Sequence, residues 1–427
     1  MFAAPGNPGI AAHAELVGLD PVDGAGVAAW AARHAIDLVV IGPEAPLVAG
    51  VADALRAAGV RVFGPNAAAA RLEGSKGFTK DLCARAGIPT AAFRRVRSLD
   101  GARAALGAFG LPVVIKADGL AAGKGVTIAG TAEEANAAVE ALFAPSGTPA
   151  EAGVPGREGE EAPVGAPETP ASAGVMVGAE AVIEEFMAGE EASLFVLADG
   201  ADALVLGAAG DHKRVGDGDT GPNTGGMGAF SPVPALTPAL ERQAMDEIVR
   251  PTLRAMADAG TPFSGLLYAG LMLTTEGPKL VEYNVRFGDP EAQALMLRLD
   301  EDLLELMLAT AEGRLGARGP VRLADDASVV VVVAARGYPG MPSTGGLVKG
   351  LSEAEAAGAV VFQAGTAARN GRLAAFGGRV LAVAGRGATL SDAAATAYRG
   401  VAQLRFADGF WRADIGARVG VAPPARA

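Results

Sequence analysis

From Ile36 to Gly64 the chain reads "IDLVVIGPEAPLVAGVADALRAAGVRVFG": an apolar run, a helical repeat of apolar positions, and a second apolar run. That spacing predicts a parallel β-α-β unit, half of a doubly wound sheet. Such sheets bind ligands beyond the carboxyl ends of their strands, which directs attention to Glu44 in the loop "GPEAPL". Taken alone, Glu44 reads as a solvated loop carboxylate. Ser75 opens a helix to about Ala86, and "PTAAFRRV" and "PVVIKA" suggest strands flanking a helix begun near Ser98. Thr131 and Glu134 form a capping box for the helix "AEEANAAVEALF".

Strands resume with "AVIEEF", "ASLFVLAD" and "ADALVLGAA", followed by a stretch from Gly210 to Pro234 with little hydrophobic periodicity, read as a loop. A long helix begins after Thr237, with Pro251 kinking or dividing it. "SGLLYAGLML" and "PKLVEYNV" predict a hairpin around "TTEG", and helices occupy about Pro290 to Gly313. The last hundred residues, with "ASVVVVVAA", "AVVFQAG", "GGRVLAVAG" and a helix from about Ser391, suggest a separate α+β domain. Residues 144 to 179 are rich in Pro, Gly, Ala and Glu, too poor in large apolar side chains to offset chain entropy, and are expected to form a disordered surface insertion.

Composition narrows the function classes. The 427 residues favour two to four domains, with 50% apolar and 20% charged residues. A net charge of −12 weighs against nucleic acid and anionic membranes as partners, so anionic substrates need a locally basic pocket. The longest apolar run, Ala327 to Ala335, is too short to span a bilayer, and no secretory signal is read, so a soluble, cytoplasmic protein is expected. The single cysteine, Cys83, cannot form an internal disulfide and reads as a small buried hydrophobe. Sixty glycines make any isolated Gly-x-Gly match weak.

"IKADGLAAGKGVTIA", Ile115 to Ala129, is not a P-loop: Gly119 and Gly123 are too close, and Gly125 follows Lys124 where a hydroxyl is required. Lys116 closes a strongly apolar strand, so its ammonium is directed to something specific. In "KLVEYNVRFGDPE", alternation puts Glu282, Asn284 and Arg286 on one face and Val281, Tyr283 and Val285 on the other. A carboxylate and an amide oxygen two residues apart suit a hard cation. The stretch Asp211 to Gly228, "DHKRVGDGDTGPNTGGMG", is either a disordered loop or an anion-binding nest with Lys213 and Arg214 adding charge. His212 has no second His or Cys nearby and reads as a hydrogen-bonding residue, not a metal ligand. Glu184, Glu185, Glu190 and Glu191 form either a solvated turn or a segment able to hold an adenine edge and ribose hydroxyls.

The ordered set "GPEAPLVAGVAD", "EGSKGFTKDL", "PVVIKADGLAAGKGV", "IEEFMAGEEAS", "DHKRVGDGDTGPNTGGMGAFSP", "GLLYAGLM" and "VEYNVRFGDPE" resembles the phosphoribosylamine–glycine ligase family of the ATP-grasp superfamily, from about Ala4 to Ile415. The resemblance implies an ATP-grasp fold, α/β and α+β multidomain, with ATP between two antiparallel sheets. It implies an N-terminal α/β domain (1–74), an ATP-grasp domain (75–318, lid subdomain about 112–190) and a small C-terminal α+β domain (319–427). By similarity Lys116 contacts phosphate, and "AAGKGV", with Gly123, Lys124 and Gly125, is the lid. Glu184, Glu185, Phe186 and Met187 form the hinge strand against adenine, and Glu191 binds the ribose.

Glu282 and Asn284 match the family's ligands for Mg2+ (or Mn2+), and Arg286, Lys213 and Arg214 are implied at the phosphoryl-transfer centre. Glu44, Asp211, Thr224, Gly225, Gly226, Asp289 and Glu291 border the glycine and 5-phosphoribosylamine sites. The implied reaction is ATP-dependent formation of glycinamide ribonucleotide in purine synthesis, by a monomer. Family members begin with a strand, a G-x-G-G-R-E turn and a helix, whereas this chain starts at "MFAAPGN", so a truncated doubly wound N-terminal sheet is expected. Two alternatives stay open: an inactive nucleotide-binding form, or an ATP-grasp ligase for another carboxylate and amine.

Overall fold

The computed structural model describes residues 1–120, 125–144 and 180–421. The expected insertion, apart from Ala144, and the lid residues Gly123 and Lys124 lie outside the described residues. The largest element is a nine-stranded sheet whose pairings are all antiparallel. Its order is Gly277–Asn284, Ser264–Thr274, Glu190–Asp199, Ala203–Asp211, Gly228–Ser231, Ala327–Ala335, Arg379–Gly387 and Val360–Gln363, with Gly409–Phe410 paired onto Ala327–Ala335. The valine run of Ala327–Ala335 is buried at every residue because strands flank it and the helices Leu390–Val401 and Glu291–Met296 pack against it. A strand covered on both faces needs no alternation, which is why it reads as a continuous apolar run.

The stretch Gly210 to Pro234 is therefore not a loop. Gly228–Ser231 is a buried interior strand, pairing with Ala203–Asp211 on one side and Ala327–Ala335 on the other. Four residues between Met227 and Pro232 are too few to show periodicity, and a side chain on Gly228 would meet the Val330 carbonyl oxygen at 2.7 Å. The remainder folds as the hairpin Arg214–Gly216 and Thr220–Asn223. Through Gly228–Ser231 the C-terminal strands continue the large sheet; they do not build a main sheet of their own.

A second, four-stranded antiparallel sheet has the order Phe93–Val96, Ala181–Glu185, Val113–Ala117 and Val126–Ala129. The helices Leu99–Phe109, capped by Ser98, and Ala132–Phe143, with the expected Thr131–Glu134 capping box, bury its apolar face in a core of their own. The expected hairpin Ser264–Thr274 and Gly277–Asn284 forms as read. The helix after Thr237 is not split: it runs from Pro238 to Asp258 through a π-helical turn at Met245–Val249, immediately before Arg250–Asp258. The wider turn accommodates Pro251, which has no N–H to donate.

In the N-terminal region Val39–Val40 and Val62–Phe63 pair in parallel, as the β-α-β reading requires. The single expected helix is two, Glu44–Val48 and Val51–Ala57, divided at Gly50 with φ of +83°. Phe2–Ala3 and Glu15–Leu16 form another parallel pair.

Candidate active site

The site begins on the strand Gly277–Asn284. Gly270 pairs with Glu282 and Leu271 with Leu280, so Val281 is an extra residue in the ladder, a β-bulge. The bulge corrects the simple alternation: Leu280 and Tyr283 are both buried, and Val281 leaves the buried face expected for it. Glu282, Asn284 and Arg286 are half-buried while Tyr283 and Val285 are buried, as expected. Among the described residues neither the Glu282 nor the Asn284 side chain has a hydrogen-bond partner, and no cluster of three His, Cys, Asp or Glu side chains could hold a metal. Two oxygen donors on one strand fit a hard cation that keeps its remaining sites for water and phosphate.

Arg286 ties this strand to the N-terminal region. Its Nε donates to Glu44 Oε2 at 3.2 Å, and Nη2 donates to Glu73 Oε1 at 2.9 Å. Glu44 is the first residue of a helix and paired, not a solvated loop carboxylate. The other oxygen of Glu73 accepts from the Val285 N–H at 2.8 Å. Burial pushes the Glu73 carboxyl up to about 7, against the opposing effects of Arg286 and that N–H.

The helix Lys76–Ala86 brings two lysines to the same region. Ser75 caps it and also donates to Asp118 at 3.0 Å, while Lys76 Nζ donates to the Gly119 carbonyl at 2.9 Å, pinning the approach to the glycine-rich loop. Burial lowers the Lys76 ammonium, which Glu282 and Asp118 partly restore. One turn later Lys80 lies 3.0 Å from Glu184 Oε2. Lys116 lies 3.0 Å from the other oxygen of Glu184 and donates to the Val281 carbonyl at 3.0 Å. Lys116 thus has the specific target that its place at the end of an apolar strand implied.

Glu184 departs from its expected role. The residue is 1% exposed: its carboxylate faces the two lysines and its backbone lies in the ladder between Phe93 and Val114, so it is held inside the sheet and the hinge can begin only at Glu185. Glu185 accepts from the Ala92 N–H at 2.9 Å, and the chain leaves the sheet there. Phe186 and Met187, exposed and half-buried, make no sheet hydrogen bond.

On the neighbouring strands Lys213 Nζ pairs with Glu191 Oε2 at 2.9 Å. Burial works against the Lys213 ammonium, but Glu191 and Asp211 hold it well above the ordinary lysine value. Lys213 in turn lowers Glu191. Asp211 is buried and its carboxyl raised by desolvation, against Lys213. Glu291, raised to about 7 by burial and by Asp211, accepts from Tyr268 at 3.0 Å, and Ser193 donates to the same tyrosine oxygen at 2.7 Å. Glu282 acts electrostatically on Glu73, Lys76, Asp211 and Lys213, so these groups surround one centre.

Arg214 does not join them. Adjacent residues of an extended chain point opposite ways, and Arg214 turns back to the Gly221 carbonyl at 2.7 Å within its own hairpin. Thr224 is buried, donating to the Lys213 carbonyl at 2.8 Å and accepting from Gly226 at 3.0 Å. Arg379 donates to the Gly225 carbonyl at 2.9 Å and pairs with Asp289 at 3.0 Å, fastening the "NTGG" and "GDPE" turns together. His212 is fully buried and accepts from the Gly416 N–H at 2.9 Å, as a hydrogen-bonding residue. Cys83 is buried, its thiol pushed up to about 11, which suits a packing role.

Glu73, Lys76, Lys80, Arg379 and Arg418, whose guanidinium donates to the Asp211 carbonyl, escaped the reading of the chain. The first three sit in "EGSKGFTK", where the i, i+4 lysine pair behind a serine cap was the available signal. Arg379 and Arg418 carry no local pattern.

Two antiparallel sheets meeting at a cluster of lysines, opposite a strand with a carboxylate and an amide oxygen, define an ATP-grasp protein. The family model described as phosphoribosylglycinamide synthetase, ATP-grasp (A) domain, matches residues 74–154 and 170–292; the N domain of the same synthetase matches 1–73 and its C domain 328–418. The chain is 55% identical to the phosphoribosylamine–glycine ligase of Mesorhizobium japonicum over 97% of its length and 91% of the relative's. Identity to the enzyme of the same name from Vibrio parahaemolyticus is 45%, over 98% and 92%. The crystal structure of the Thermotoga maritima phosphoribosylamine–glycine ligase superposes with a TM-score of 0.79 at 31% identity, covering 97% of this chain and 93% of that one. The biotin carboxylase domain of Hydrogenobacter thermophilus 2-oxoglutarate carboxylase shares the fold, with a TM-score of 0.65 at 15% identity. The chain belongs to the phosphoribosylamine–glycine ligase family.

Proposed function

We propose that this chain joins glycine to 5-phosphoribosylamine at the expense of ATP, giving glycinamide ribonucleotide, ADP and phosphate in purine synthesis. The observation that carries the reading is the placing of Glu282 and Asn284 on one strand and Arg286 just beyond its end, with Lys76, Lys116 and Lys213 around them. ATP lies between the sheets, with Lys116 and Lys76 toward its phosphates, the Glu185–Met187 backbone toward adenine, and Glu191 toward the ribose. Glu282 and Asn284 hold Mg2+ or Mn2+, which when bound supplies positive charge to the phosphoryl oxygens.

The glycine carboxylate attacks the γ-phosphorus, forming glycyl phosphate and releasing ADP. The sugar amine then attacks the glycyl carbonyl, loses a proton and expels phosphate. Neither step needs a protein nucleophile, so catalysis rests on positioning and charge neutralisation, which a site of Lys, Arg and backbone N–H groups provides. Arg286 faces the phosphoryl being transferred; Asp211, Glu291 and Asp289 line the glycine and amine side, with Thr224, Gly225 and Gly226 supplying backbone groups. Asp211 and Glu44 suit cationic or hydroxyl-bearing parts of the substrates. Work as a monomer in the cytoplasm completes the reading.

The test is ADP release. With ATP, a divalent cation, glycine and 5-phosphoribosylamine, the protein should release ADP and form glycinamide ribonucleotide. Omitting either glycine or the amine should reduce release to background. ADP release independent of glycine, or with another carboxylate in its place at equal rate, would overturn the assignment.

A further inference from the structure

The carboxylate of Glu184 is shared. Its two oxygens lie 3.0 Å from Lys80 and 3.0 Å from Lys116, and all three side chains are buried. Lys80 also donates to Thr90 at 2.7 Å, and Thr90 donates to the Leu280 carbonyl at 2.7 Å. Lys116 also donates to the carbonyl of Val281, the bulged residue next to Glu282. Each ammonium has three N–H groups; among the described residues Lys80 has two acceptors within reach, while Lys116 hydrogen-bonds the Val281 carbonyl and meets Glu184 Oε1 at ion-pair distance without a hydrogen bond, so each keeps a donor unused. The cluster joins the helix Lys76–Ala86, the small sheet and the large sheet.

Two ammonium groups share one carboxylate, so the buried cluster carries one positive charge in excess. Buried charge without its counter-charge is costly, and a bound anion relieves that cost. Had Glu184 only Lys116 to face, the pair would be neutral, and an incoming polyphosphate would have to compete with the carboxylate for the lysine. Lys80 removes that competition by occupying the second oxygen.

We propose that Lys80 is a positioning residue for nucleotide binding: by sharing Glu184 it leaves Lys116 with the unbalanced charge that receives the polyphosphate of ATP. This rests on the reading that ATP binds between the two sheets. Lys80 acts through Glu184 and Lys116 and touches no phosphate itself.

The idea makes an unusual prediction for a pair of variants. Lys80→Met keeps the volume of the side chain but leaves a neutral Glu184–Lys116 pair, so the Kd for ATP should rise about tenfold. Adding Glu184→Gln to Lys80→Met restores the single excess charge on Lys116, and the Kd should return to within about threefold of the wild-type value. Titration calorimetry of the full chain with ATP and Mg2+ measures both, with thermal unfolding reporting the fold of each variant and the KM for glycine expected to stay unchanged. A cluster that served only to hold the sheets together would make the double variant as weak as the single or weaker, and that result would overturn the proposal. So would unchanged ATP affinity in Lys80→Met. If the wild-type chain itself binds no ATP, the ATP reading fails along with it, a distinct outcome. Should Lys80→Met fail to fold, the double variant, which introduces no unmatched carboxylate, still decides: a loss of ATP affinity tenfold or greater in it counts against the idea.

Discussion

Arg286 donates to Glu73 at 2.9 Å through one guanidinium nitrogen while the other oxygen of Glu73 accepts the N–H of Val285, the residue just before it. One carboxylate thus fixes both the backbone and the side chain where the strand carrying Glu282 and Asn284 ends. Glu73 closes the helix Ala67–Gly74 one residue before that helix stops, so the contact links the N-terminal region to the centre of the site.

Burial raises the Glu73 carboxyl to about 7 from an ordinary 4.5, so its folded environment favours the protonated form. The stabilising contribution is fully present below pH 4.5 and is lost as pH rises through 7. Its upper size is about 3 kcal/mol, from about 1.4 kcal/mol per pKa unit. Urea unfolding of wild type and Glu73→Gln, without nucleotide or metal, should show the wild type losing stability relative to the variant across this window. A pH-independent difference would rule the environment out.

Glu282→Ala removes a charged group from a half-buried position without emptying the core. Turnover should fall at least a hundredfold, because metal charge stabilisation is worth several kcal/mol, while the melting temperature stays within a few degrees. Asn284→Ala should show the same pattern more mildly, since it removes a neutral donor. Activity retained by Glu282→Ala would remove this strand from the chemistry.

Much of this site was legible because strand alternation and a run of polar residues fall together in "VEYNVRFGDPE", and because helix caps such as Ser75, Ser98 and Thr131 are local features. What was not legible depends on partners far along the chain. Val281 is a bulge only because Gly270 and Leu271 skip it, and Glu184 faces inward only because Lys80 and Lys116 arrive from two other elements. Gly228–Ser231 is a strand because it fills the place between two others, a demand that four residues of sequence cannot display. The C-terminal elements were recognised one by one, but the sheet they extend is set by that same short strand.

Arg379 reaches from a C-terminal strand to the Gly225 carbonyl and to the carboxylate of Asp289. It acts on two turns that border the proposed glycine and amine positions, and not on the lysines of the nucleotide side. Hydrogen bonds to a charged group contribute about 1.5–3 kcal/mol. Arg379→Ala should therefore raise the KM for glycine or for the amine by about tenfold or more, leaving the KM for ATP within about threefold. Steady-state kinetics with each substrate varied in turn reads this directly; an equal loss for all three substrates would mean general loosening of the fold.

His212 makes the opposite kind of pH prediction. Its Nε2 accepts from the Gly416 N–H at 2.9 Å, so the ring proton sits on Nδ1, and Nδ1 lies 3.8 Å from Asp219, beyond a hydrogen bond. Burial, reinforced by the nearby Arg418 and Arg412, holds the imidazole down to about 3. A histidine lowered in this way contributes stability that is fully present above pH 6.5 and lost as pH falls toward 3, because the unfolded chain takes up a proton that the folded one refuses. His13 and His34 are the other histidines, so the ring spectrum is simple to assign with a His212→Phe variant. Two-dimensional nitrogen–proton spectra should show the His212 ring in the Nδ1–H form and unchanged between pH 5 and 8. His212→Phe leaves the Gly416 N–H without its acceptor and should cost about 1–3 kcal/mol at pH 7, with a smaller cost at pH 5 as the wild type loses its advantage. A His212 ring that titrates between pH 5 and 8 would mean that Gly416 does not hold it, and that the segment Asp211–Gly228 is open to water instead of sealed against the C-terminal region.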